Sequence, residues 1–376
     1  MSLKRKALEG LVSLASLAKG NTSWNENTPK RILVLRNNDI GDLLVITPVF
    51  EALKKSFPNT EIIAGIGSWN LPVLELNPFI DAVLTLDAPW HNKQSTTVSH
   101  NSIQGFYRSL KYIYTSEEVE ILRNLQCDTG IDILGSPEGA LLMLRSGIKN
   151  RIGVCGYAGG HSGCQKNITF DPKCHVSKAA LDQVRLLTKP EKMEVPQRPQ
   201  LYLNSEESSW AEKAWIHHEK AKGGKSLRVL VGAGAGLIEK CWPSNYFGKL
   251  TQKINALHPS TLLSVGTHSD ADATQEIKRH TPSVSDICGS TTLRQTFALC
   301  SKADLILCNS SMLMHAGAAF NTRTMVLLGP DFKSAKDHEL TWGYPKTCTI
   351  LGPEPLSPQL TTPEEAFEAL RQKQWI

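Results

Sequence analysis

The sequence has 376 residues, 41% of them hydrophobic, which is enough for two globular domains. Its formal net charge of +5 at pH 7 fits anionic ligands or an anionic membrane surface and requires neither. It contains no strongly basic blocks interleaved with aromatic residues, so a nucleic-acid-binding protein is not expected. Nine scattered cysteines, the lack of a signal-peptide pattern and the lack of any long apolar run predict a cytoplasmic protein with reduced thiols.

The N-terminal residues 4–19 have the spacing of an amphipathic helix. Leu8, Leu11, Val12 and Ala15 fall at helical spacing, and basic residues lie at both ends of the segment. A terminal helix docked on its own domain is the simpler interpretation, and we favour it. The alternative is a basic amphipathic helix that makes peripheral contact with the inner face of the cytoplasmic membrane.

The first strand is predicted in an apolar, mostly branched run at residues 32–35, as in a buried parallel strand. Pro48 suits the first turn of the helix that follows. Asp42 lies between the two, at the carboxyl end of the predicted strand. Ligands bind at this edge of open α/β sheets, so Asp42 is a candidate functional carboxylate. The alternative is that Asp42 only caps the following helix.

Strand-like and helical segments alternate along the first half, which predicts a parallel sheet. The predicted strands cover residues 61–65, 80–86, 128–134 and 151–154, and the main predicted helices cover residues 48–55, 106–125, 138–147 and 175–187. Residues 87–103 lack periodicity, as expected for a functional or disordered loop. The cysteines and histidines at 155–175 match no standard zinc spacing, so an ordinary loop is favoured over a metal site.

The second half repeats the alternation after a segment, residues 188–200, that carries prolines among charged residues. We predict an N-terminal domain over residues 1–190, a linker over 191–200 and a C-terminal domain over 201–376. For the last helix, at 363–373, the sequence leaves open whether it packs back on the N-terminal domain. The predicted fold class is therefore α/β, with two doubly wound, Rossmann-like domains facing each other across a ligand-binding cleft.

The second domain carries the pattern of a phosphate-binding site. Lys240 follows a glycine-rich turn that includes Gly234, and a lysine placed there is able to neutralise a phosphate. Ser310 and Ser311 head a predicted helix after a buried strand, where backbone amides and hydroxyls favour an anion. The alternatives are a solvated surface lysine and ordinary helix capping by serine.

Two further residues are candidates in the same domain. Asp270 follows the next strand, where a carboxylate is able to accept hydrogen bonds from a ribose, although a solvated turn explains it equally well. His315 is either a phosphate or backbone contact or a buried histidine of the core. With Asp42 as general base and Lys240 as partner of a departing diphosphate, the set describes glycosyl transfer from a nucleotide sugar without a metal.

Several short motifs, taken together, resemble those of the family 9 glycosyltransferases, the heptosyltransferases of lipopolysaccharide core synthesis. They are Asn37-Asn38-Asp39-Ile40-Gly41-Asp42 with Thr47-Pro48, Arg151-Ile152-Gly153, Lys240-Cys241-Trp242-Pro243, the run from Asn309 to His315, and Gly329-Pro330. Each motif alone is weak, but their order and spacing are specific. The similarity runs through most of residues 30–372.

The resemblance implies a GT-B fold and an inverting transfer that needs no metal or other cofactor. The donor would be a nucleotide sugar, by default ADP-heptose, and the acceptor a glycan or lipid-linked glycan bound to the N-terminal domain. Asp42 would be the general base and Lys240 would meet the donor diphosphate. The turn from Asn309 to His315, with Ser310, Ser311 and Met312, would hold that diphosphate. The candidate acceptor contacts are Arg36, Asn38, Asp39, Trp90 and Lys93.

One motif departs from the family pattern. Ser310 stands where family members have Asp, and Met312 stands where they have Gly. The first change removes a charge near the donor sugar, and the second crowds a place where backbone approaches phosphate. A transferase of another nucleotide sugar and a non-catalytic sugar- or nucleotide-binding relative are therefore alternatives. A nucleotide-sugar 2-epimerase would need a carboxylate-rich cleft, which the second domain does not suggest.

Overall fold

The computed structural model describes residues 3–19, 23–94, 102–188, 195–220 and 226–376. The chain divides into two compact units, Met1–Gln197 and Arg198–Ile376. The division falls inside the segment predicted as a linker, of which residues 191–194 lie outside the described ranges. Each unit contains one six-stranded sheet, and every strand pairing within the two sheets is parallel.

The N-terminal sheet has the strand order β3-β2-β1-β4-β5-β6. Its strands are β1 Arg31–Leu35, β2 Glu61–Ile66, β3 Ala82–Thr85, β4 Thr129–Asp132, β5 Asn150–Cys155 and β6 Lys166–Thr169. β1 pairs with β2 on one side and β4 on the other, and it is buried from Ile32 to Leu35, which explains the apolar sequence of these residues. The strand order reverses between β1 and β4, so a ligand-binding crevice is expected at their carboxyl ends.

Eight helices accompany this sheet in the described part of the chain. They are α1 Leu3–Ala18, α2 Ile40–Leu44, α3 Pro48–Ser56, α4 Leu71–Leu74, α5 Ile103–Thr115, α6 Glu117–Asn124, α7 Pro137–Arg145 and α8 Val176–Arg185. The single helix predicted over 106–125 is wrong, because Ser116 is extended and its hydroxyl caps α6 by accepting from the Val119 amide. Residues 95–101 of the predicted loop lie outside the described residues.

The C-terminal sheet has the order β12-β11-β10-β7-β8-β9. Its first strand, β7, lies between its second and fourth strands, β8 and β10, just as β1 lies between β2 and β4. Its strands are β7 Leu227–Gly232, β8 Ser260–Ser264, β9 Ser285–Asp286, β10 Leu305–Cys308, β11 Arg323–Leu327 and β12 Cys348–Leu351. Its helices are α9 Ser205–Lys220, α10 Ser244–Leu257, α11 Ala271–His280, α12 Leu293–Lys302, α13 Met312–Ala319, α14 Ala335–Trp342 and α15 Pro363–Gln372. The predicted class, two doubly wound α/β units, is confirmed.

The last helix, α15, packs on its own unit. Ala366 and Leu370 are completely buried in the C-terminal core together with residues of α10, including Leu250 and Ile254. The segment before α15 is also fixed there, because the Trp242 indole N–H donates to the Thr361 carbonyl at 2.7 Å. The apolar face of this helix is used within the C-terminal unit, and its packing back on the N-terminal domain stays a prediction.

The first helix, α1, docks on the N-terminal unit through one face and exposes apolar residues on another. Val12 is completely buried in the core that also contains helix α7, and Ala15 packs against that core. Leu11, Leu14 and Leu17, by contrast, are 46%, 64% and 61% exposed. The docked interpretation is therefore confirmed, although Leu11, predicted on the docked face, points to solvent. No helix in the described ranges combines the length and the apolar composition that a membrane span requires.

The segment with several cysteines and histidines between residues 155 and 175 is accounted for by local structure. His161 lies 2.9 Å from the Glu9 carboxylate of α1, and His175 caps α8 by accepting from the Ser177 amide. All nine cysteines of the chain are free thiols. Within the described residues, no three His, Cys, Asp or Glu side chains come together as a possible metal-binding group.

Candidate active site

Asp42 lies in the short helix α2, directly after the central strand β1. Its Oδ1 accepts a hydrogen bond from Arg36 Nη2 at 3.0 Å, and its backbone carbonyl accepts from Arg36 Nε at 3.1 Å. The Arg36 side chain is only 5% exposed, whereas that of Asp42 is 30% exposed. Arg36, predicted to contact the acceptor substrate, thus binds Asp42 from the buried side and leaves part of the carboxylate exposed to solvent.

The environment of Asp42 makes its carboxylate more basic. Burial raises the pKa of Asp42 above its usual range, and the nearby Asp39 raises it further, whereas Arg36 acts in the opposite direction. A carboxylate with a raised pKa is a better proton acceptor than an ordinary surface aspartate. Asp42 lies in the first turn of α2, and its carboxylate also accepts from the backbone of Asp39, the N-cap residue of that helix. It does not cap α3, whose N-cap residue is Thr47.

Two other predicted residues fix the loop that leads into α2. Asn38 Nδ2 donates to the His91 carbonyl at 2.7 Å. The Asp39 carboxylate accepts from the Lys93 amide at 3.1 Å, and the Lys93 ammonium lies 3.9 Å from it. These contacts join the loop after β1 to the segment that follows β3, so both segments shape the surroundings of Asp42.

A pocket opens beside this loop at the carboxyl ends of β1, β3 and β4. Asn37, Asn38, Trp90, Asp132 and Ser136 line it together with apolar side chains. Trp90 is 3% exposed and packs edge-on against Tyr112, with 5.4 Å between the ring centroids, so it forms a wall of the pocket as part of the core.

One wall of the pocket offers an unused acceptor. The side chain of Asn38 is buried, and its Oδ1 accepts no hydrogen bond from the residues that the structure describes. A buried carbonyl oxygen without a donor is costly unless a ligand or water supplies one. The pocket has room for about one water molecule, which would supply this donor.

In the C-terminal unit, Lys240 lies on a turn that is bound to the end of β11. The Lys240 carbonyl accepts from the Gly329 amide at 3.2 Å, and Cys241 forms an isolated antiparallel bridge with Leu328. A Cβ atom at Gly329 would lie 2.5 Å from the Cys241 carbonyl oxygen, so only glycine permits this approach. The turn holds Lys240 near the carboxyl edge of the sheet.

Asn309, at the end of β10, joins two neighbouring segments. Its Oδ1 accepts from the Trp242 amide at 2.8 Å, and its Nδ2 donates to the Ala233 carbonyl. The side chain is completely buried. Its amide therefore positions the glycine-rich turn and the Lys240 turn relative to each other, a structural contribution that its place in the motif did not reveal.

Ser310 and Ser311 precede helix α13, which starts at Met312 instead of the predicted Ala316. Ser311 occupies the N-cap position in an extended conformation, but its hydroxyl makes no capping hydrogen bond. Ser310 Oγ lies 2.9 Å from His338 Nε2 of α14. The first amides of α13 therefore lack a serine cap, and the helix start keeps its capacity to bind an anion.

These features agree with comparisons to known proteins. A family model described as glycosyltransferase family 9 (heptosyltransferase) matches residues 119–363, more than half of the chain. The chain belongs to glycosyltransferase family 9. The family resemblance of the motifs is thereby confirmed, and the protein is a glycosyltransferase. Lipopolysaccharide heptosyltransferase 3 of Escherichia coli is 23% identical over 304 residues, which cover 79% of this chain and 82% of that relative.

Solved structures of family 9 glycosyltransferases share the fold. One from Veillonella parvula has a TM-score of 0.69 at 18% identity, over 92% of this chain and 89% of its own. The ADP-heptose lipopolysaccharide heptosyltransferase II of E. coli has a TM-score of 0.65 at 20% identity, over 91% of this chain and 98% of its own. This likeness supports the GT-B architecture.

Two residues predicted at the donor site of this family 9 glycosyltransferase have partners within the protein. The Asp270 carboxylate accepts from the Thr267 amide at 2.7 Å and from its hydroxyl at 2.8 Å. A Cβ atom at Gly234 would lie 2.1 Å from Asp270 Oδ1, so Gly234 provides the space for this carboxylate. His315 is 5% exposed, and its Nδ1 lies 2.6 Å from the Tyr344 hydroxyl, as in the buried-histidine interpretation.

The sequence did not identify three residues, in and near α14, that contact the motif residues of this glycosyltransferase. His338 contacts Ser310, Tyr344 contacts His315, and Phe332 packs near both Lys240 and His338. Helix α14 buries only Ala335, so its sequence has no clear apolar period. The one sequence feature that could have pointed to these residues is the position of α14 shortly after the Gly329-Pro330 motif.

Proposed function

We propose that this protein transfers a heptose from ADP-heptose to a hydroxyl of a lipopolysaccharide-core acceptor, with inversion at the sugar carbon and without a metal ion. The family match and the relatives named as lipopolysaccharide heptosyltransferases support the donor and acceptor class. One structure of E. coli WaaC contains ADP-2-deoxy-2-fluoro heptose and has a TM-score of 0.66. The observation that carries the proposal is the largely buried Asp42 carboxylate, 30% exposed and held by Arg36 after the central strand.

The donor side of the proposed reaction uses the C-terminal unit. Lys240 supplies a positive charge for the diphosphate, and the start of α13 supplies backbone amides. Ser310 adds a hydroxyl at the same sheet edge. These groups stabilise the negative charge that grows on the diphosphate as it leaves, so no metal is required in this mechanism.

The chemical step exchanges one bond at the anomeric carbon. The acceptor oxygen attacks this carbon while the bond from the carbon to the diphosphate oxygen breaks. Asp42 accepts the proton that the acceptor hydroxyl loses, and ADP departs with the electron pair of the broken bond. Attack from the face opposite the leaving group inverts the configuration.

The acceptor side uses the surroundings of the Asp42 loop. Asn38 Oδ1 has no donor among the described residues, and a water in the pocket would link it to a sugar hydroxyl of the acceptor. Asp39 and Lys93 join the two segments that surround this loop and are partly exposed. Arg36 contributes by positioning Asp42. A glycan or a lipid-linked glycan satisfies these requirements equally.

Helix α1 favours contact with an anionic membrane surface. Leu11, Leu14 and Leu17 form an exposed apolar strip. The sequence also places basic residues at both ends of the helix. An amphipathic helix of this composition lies in the interface of anionic lipids, and a protein that acts on a lipid-linked acceptor at the inner face of the cytoplasmic membrane would use it there.

The proposal is tested by incubating the protein with ADP-heptose and truncated core glycans, and by following transfer with mass spectrometry. A thermal-shift series with ADP, UDP, GDP and their sugars identifies the donor. Transfer that requires ADP-heptose and persists in a chelator supports the proposal. Turnover of a different sugar nucleotide alone would favour the alternative donor, and no response to any nucleotide would favour a non-catalytic relative.

A further inference from the structure

The contact between Ser310 and His338 joins two segments that are distant in sequence. Ser310 follows β10 and precedes the start of α13, whereas His338 lies in the middle of α14. Their side chains meet with 2.9 Å between Oγ and Nε2. The hydroxyl and the imidazole are therefore within hydrogen-bond distance, at the end of the sheet where the donor diphosphate is proposed to bind.

Phe332 connects this pair to Lys240. Its ring packs edge-on against the His338 imidazole, with 4.9 Å between the centroids, and the Lys240 ammonium lies 5.8 Å from the centroid of the same ring. The Asp331 amide also donates to the Glu239 carbonyl, which fixes the segment before Phe332 to the turn that carries Lys240. The histidine and the lysine consequently occupy fixed positions on neighbouring segments.

We propose that His338 is a positioning residue of the donor site: it takes up a proton from solvent when the diphosphate of the donor binds at Lys240, and it then holds the Ser310 hydroxyl as a donor toward the diphosphate. The proposal rests on the proposed function. In the protonated imidazole both ring nitrogens carry a proton, so Nε2 donates to Ser310 Oγ and the hydroxyl proton is free to point at a phosphate oxygen.

The charges around His338 give the direction of the effect. Burial, with a smaller contribution from the positive charge of Lys240, lowers the pKa of His338 to about 4, so the free protein holds it neutral at pH 7. Its charged neighbours are of both signs: Lys336, Asp337 and Glu339 lie on α14. Glu239, Asp331 and Lys333 lie on the facing segment and before α14. A bound diphosphate offsets the charge of Lys240 and adds negative charge, which favours the imidazolium.

The test is isothermal titration calorimetry of ADP-heptose binding, without acceptor, in buffers that differ in ionisation enthalpy. Both phosphates of ADP-heptose are esterified and stay ionised near neutral pH, so the ligand itself contributes no proton. We expect a fractional proton uptake and an affinity that rises by up to about tenfold per pH unit as pH falls. In His338→Gln the uptake and this pH dependence should disappear.

His258→Gln is the matched control, because His258 is exposed and lies between α10 and β8, at the opposite edge of the same sheet. It should keep the uptake. Ser310→Ala should weaken ADP-heptose binding several-fold while a thermal melt reports an intact fold. Equal uptake in the wild type and in His338→Gln would overturn the inference while leaving the proposed function standing. No ADP-heptose binding by the wild type would instead overturn the proposed function.

Discussion

The Arg36 guanidinium donates two hydrogen bonds to Asp42, one to the Asp42 carboxylate at 3.0 Å and one to the Asp42 backbone carbonyl at 3.1 Å. Because one side chain binds both groups, the direction of the carboxylate is fixed relative to the helix that carries it. Burial raises the pKa of Asp42 and the positive charge of Arg36 opposes that rise. The pair therefore controls both the orientation and the basicity of the proposed base.

Asp42→Asn should remove the proton acceptor while preserving the shape of the site. We expect transfer to fall by about 10²–10⁴-fold, the usual contribution of a general base. ADP affinity, measured by calorimetry, should be unchanged, since the proposed donor contacts lie on the other unit. Transfer at the wild-type rate by the Asn variant would rule out Asp42 as the base.

Arg36→Met should shift the pH dependence of the reaction. Without the guanidinium, ionisation of the buried Asp42 becomes less favourable, so its pKa rises and the acid limb of the kcat/KM profile moves to higher pH. Arg36→Lys is the matched control, because it retains the charge and should shift the limb less. An acid limb at the same pH in wild type and Arg36→Met would contradict this account of the pair.

Lys240→Ala should weaken binding of the nucleoside diphosphate. Loss of one charge-assisted contact corresponds to about 10- to 100-fold in Kd. Lys249→Ala, which removes an exposed lysine from α10 of the same unit, is the control for a general change in charge. If both variants bind ADP as the wild type does, the assignment of Lys240 fails.

Substitution of the exposed strip on α1 should reduce membrane contact without unfolding the protein. We expect Leu14→Gln with Leu17→Gln to lower binding to vesicles of anionic phosphatidylglycerol by about tenfold or more, because each leucine contributes on the order of 1–2 kcal/mol when buried. Tm should hardly change, since these side chains are 64% and 61% exposed in the folded unit.

Leu257→Gln, at a 48% exposed leucine of the C-terminal unit, serves as the control and should bind vesicles normally. Vesicle binding by the wild type that is equally strong for uncharged phosphatidylcholine would remove the proposed role of the basic residues. Equal binding by the wild type and the double variant would remove the role of the leucine strip.

The sequence predicted the sheet architecture because its central strands are buried on both sides and therefore continuously apolar. The position of Asp42 followed from the same pattern, since a strand that ends in small and polar residues marks the ligand edge of the sheet. The helical period also predicted α1. It did not predict which face docks, because Leu11 and Val12 are both apolar and adjacent, yet only Val12 is buried.

The contacts that complete the site could not be predicted in the same way. Arg36 and Asp42 are near in sequence, but nothing in their spacing shows that the guanidinium binds both a carboxylate and a carbonyl. Ser310 and His338 are 28 residues apart and meet only because β11 and α14 bring them together. Such pairs depend on tertiary packing, which local periodicity does not encode.

The most direct test of the proposed reaction is the configuration of the sugar in the product. The protein is incubated with ADP-heptose and a core glycan that lacks its heptose, in the presence of EDTA, and the new linkage is analysed by NMR. We predict transfer of one heptose with an anomeric configuration opposite to that of the donor. A product with retained configuration, or transfer that stops when the metal is removed, would contradict the account of a single displacement driven by Asp42 and Lys240.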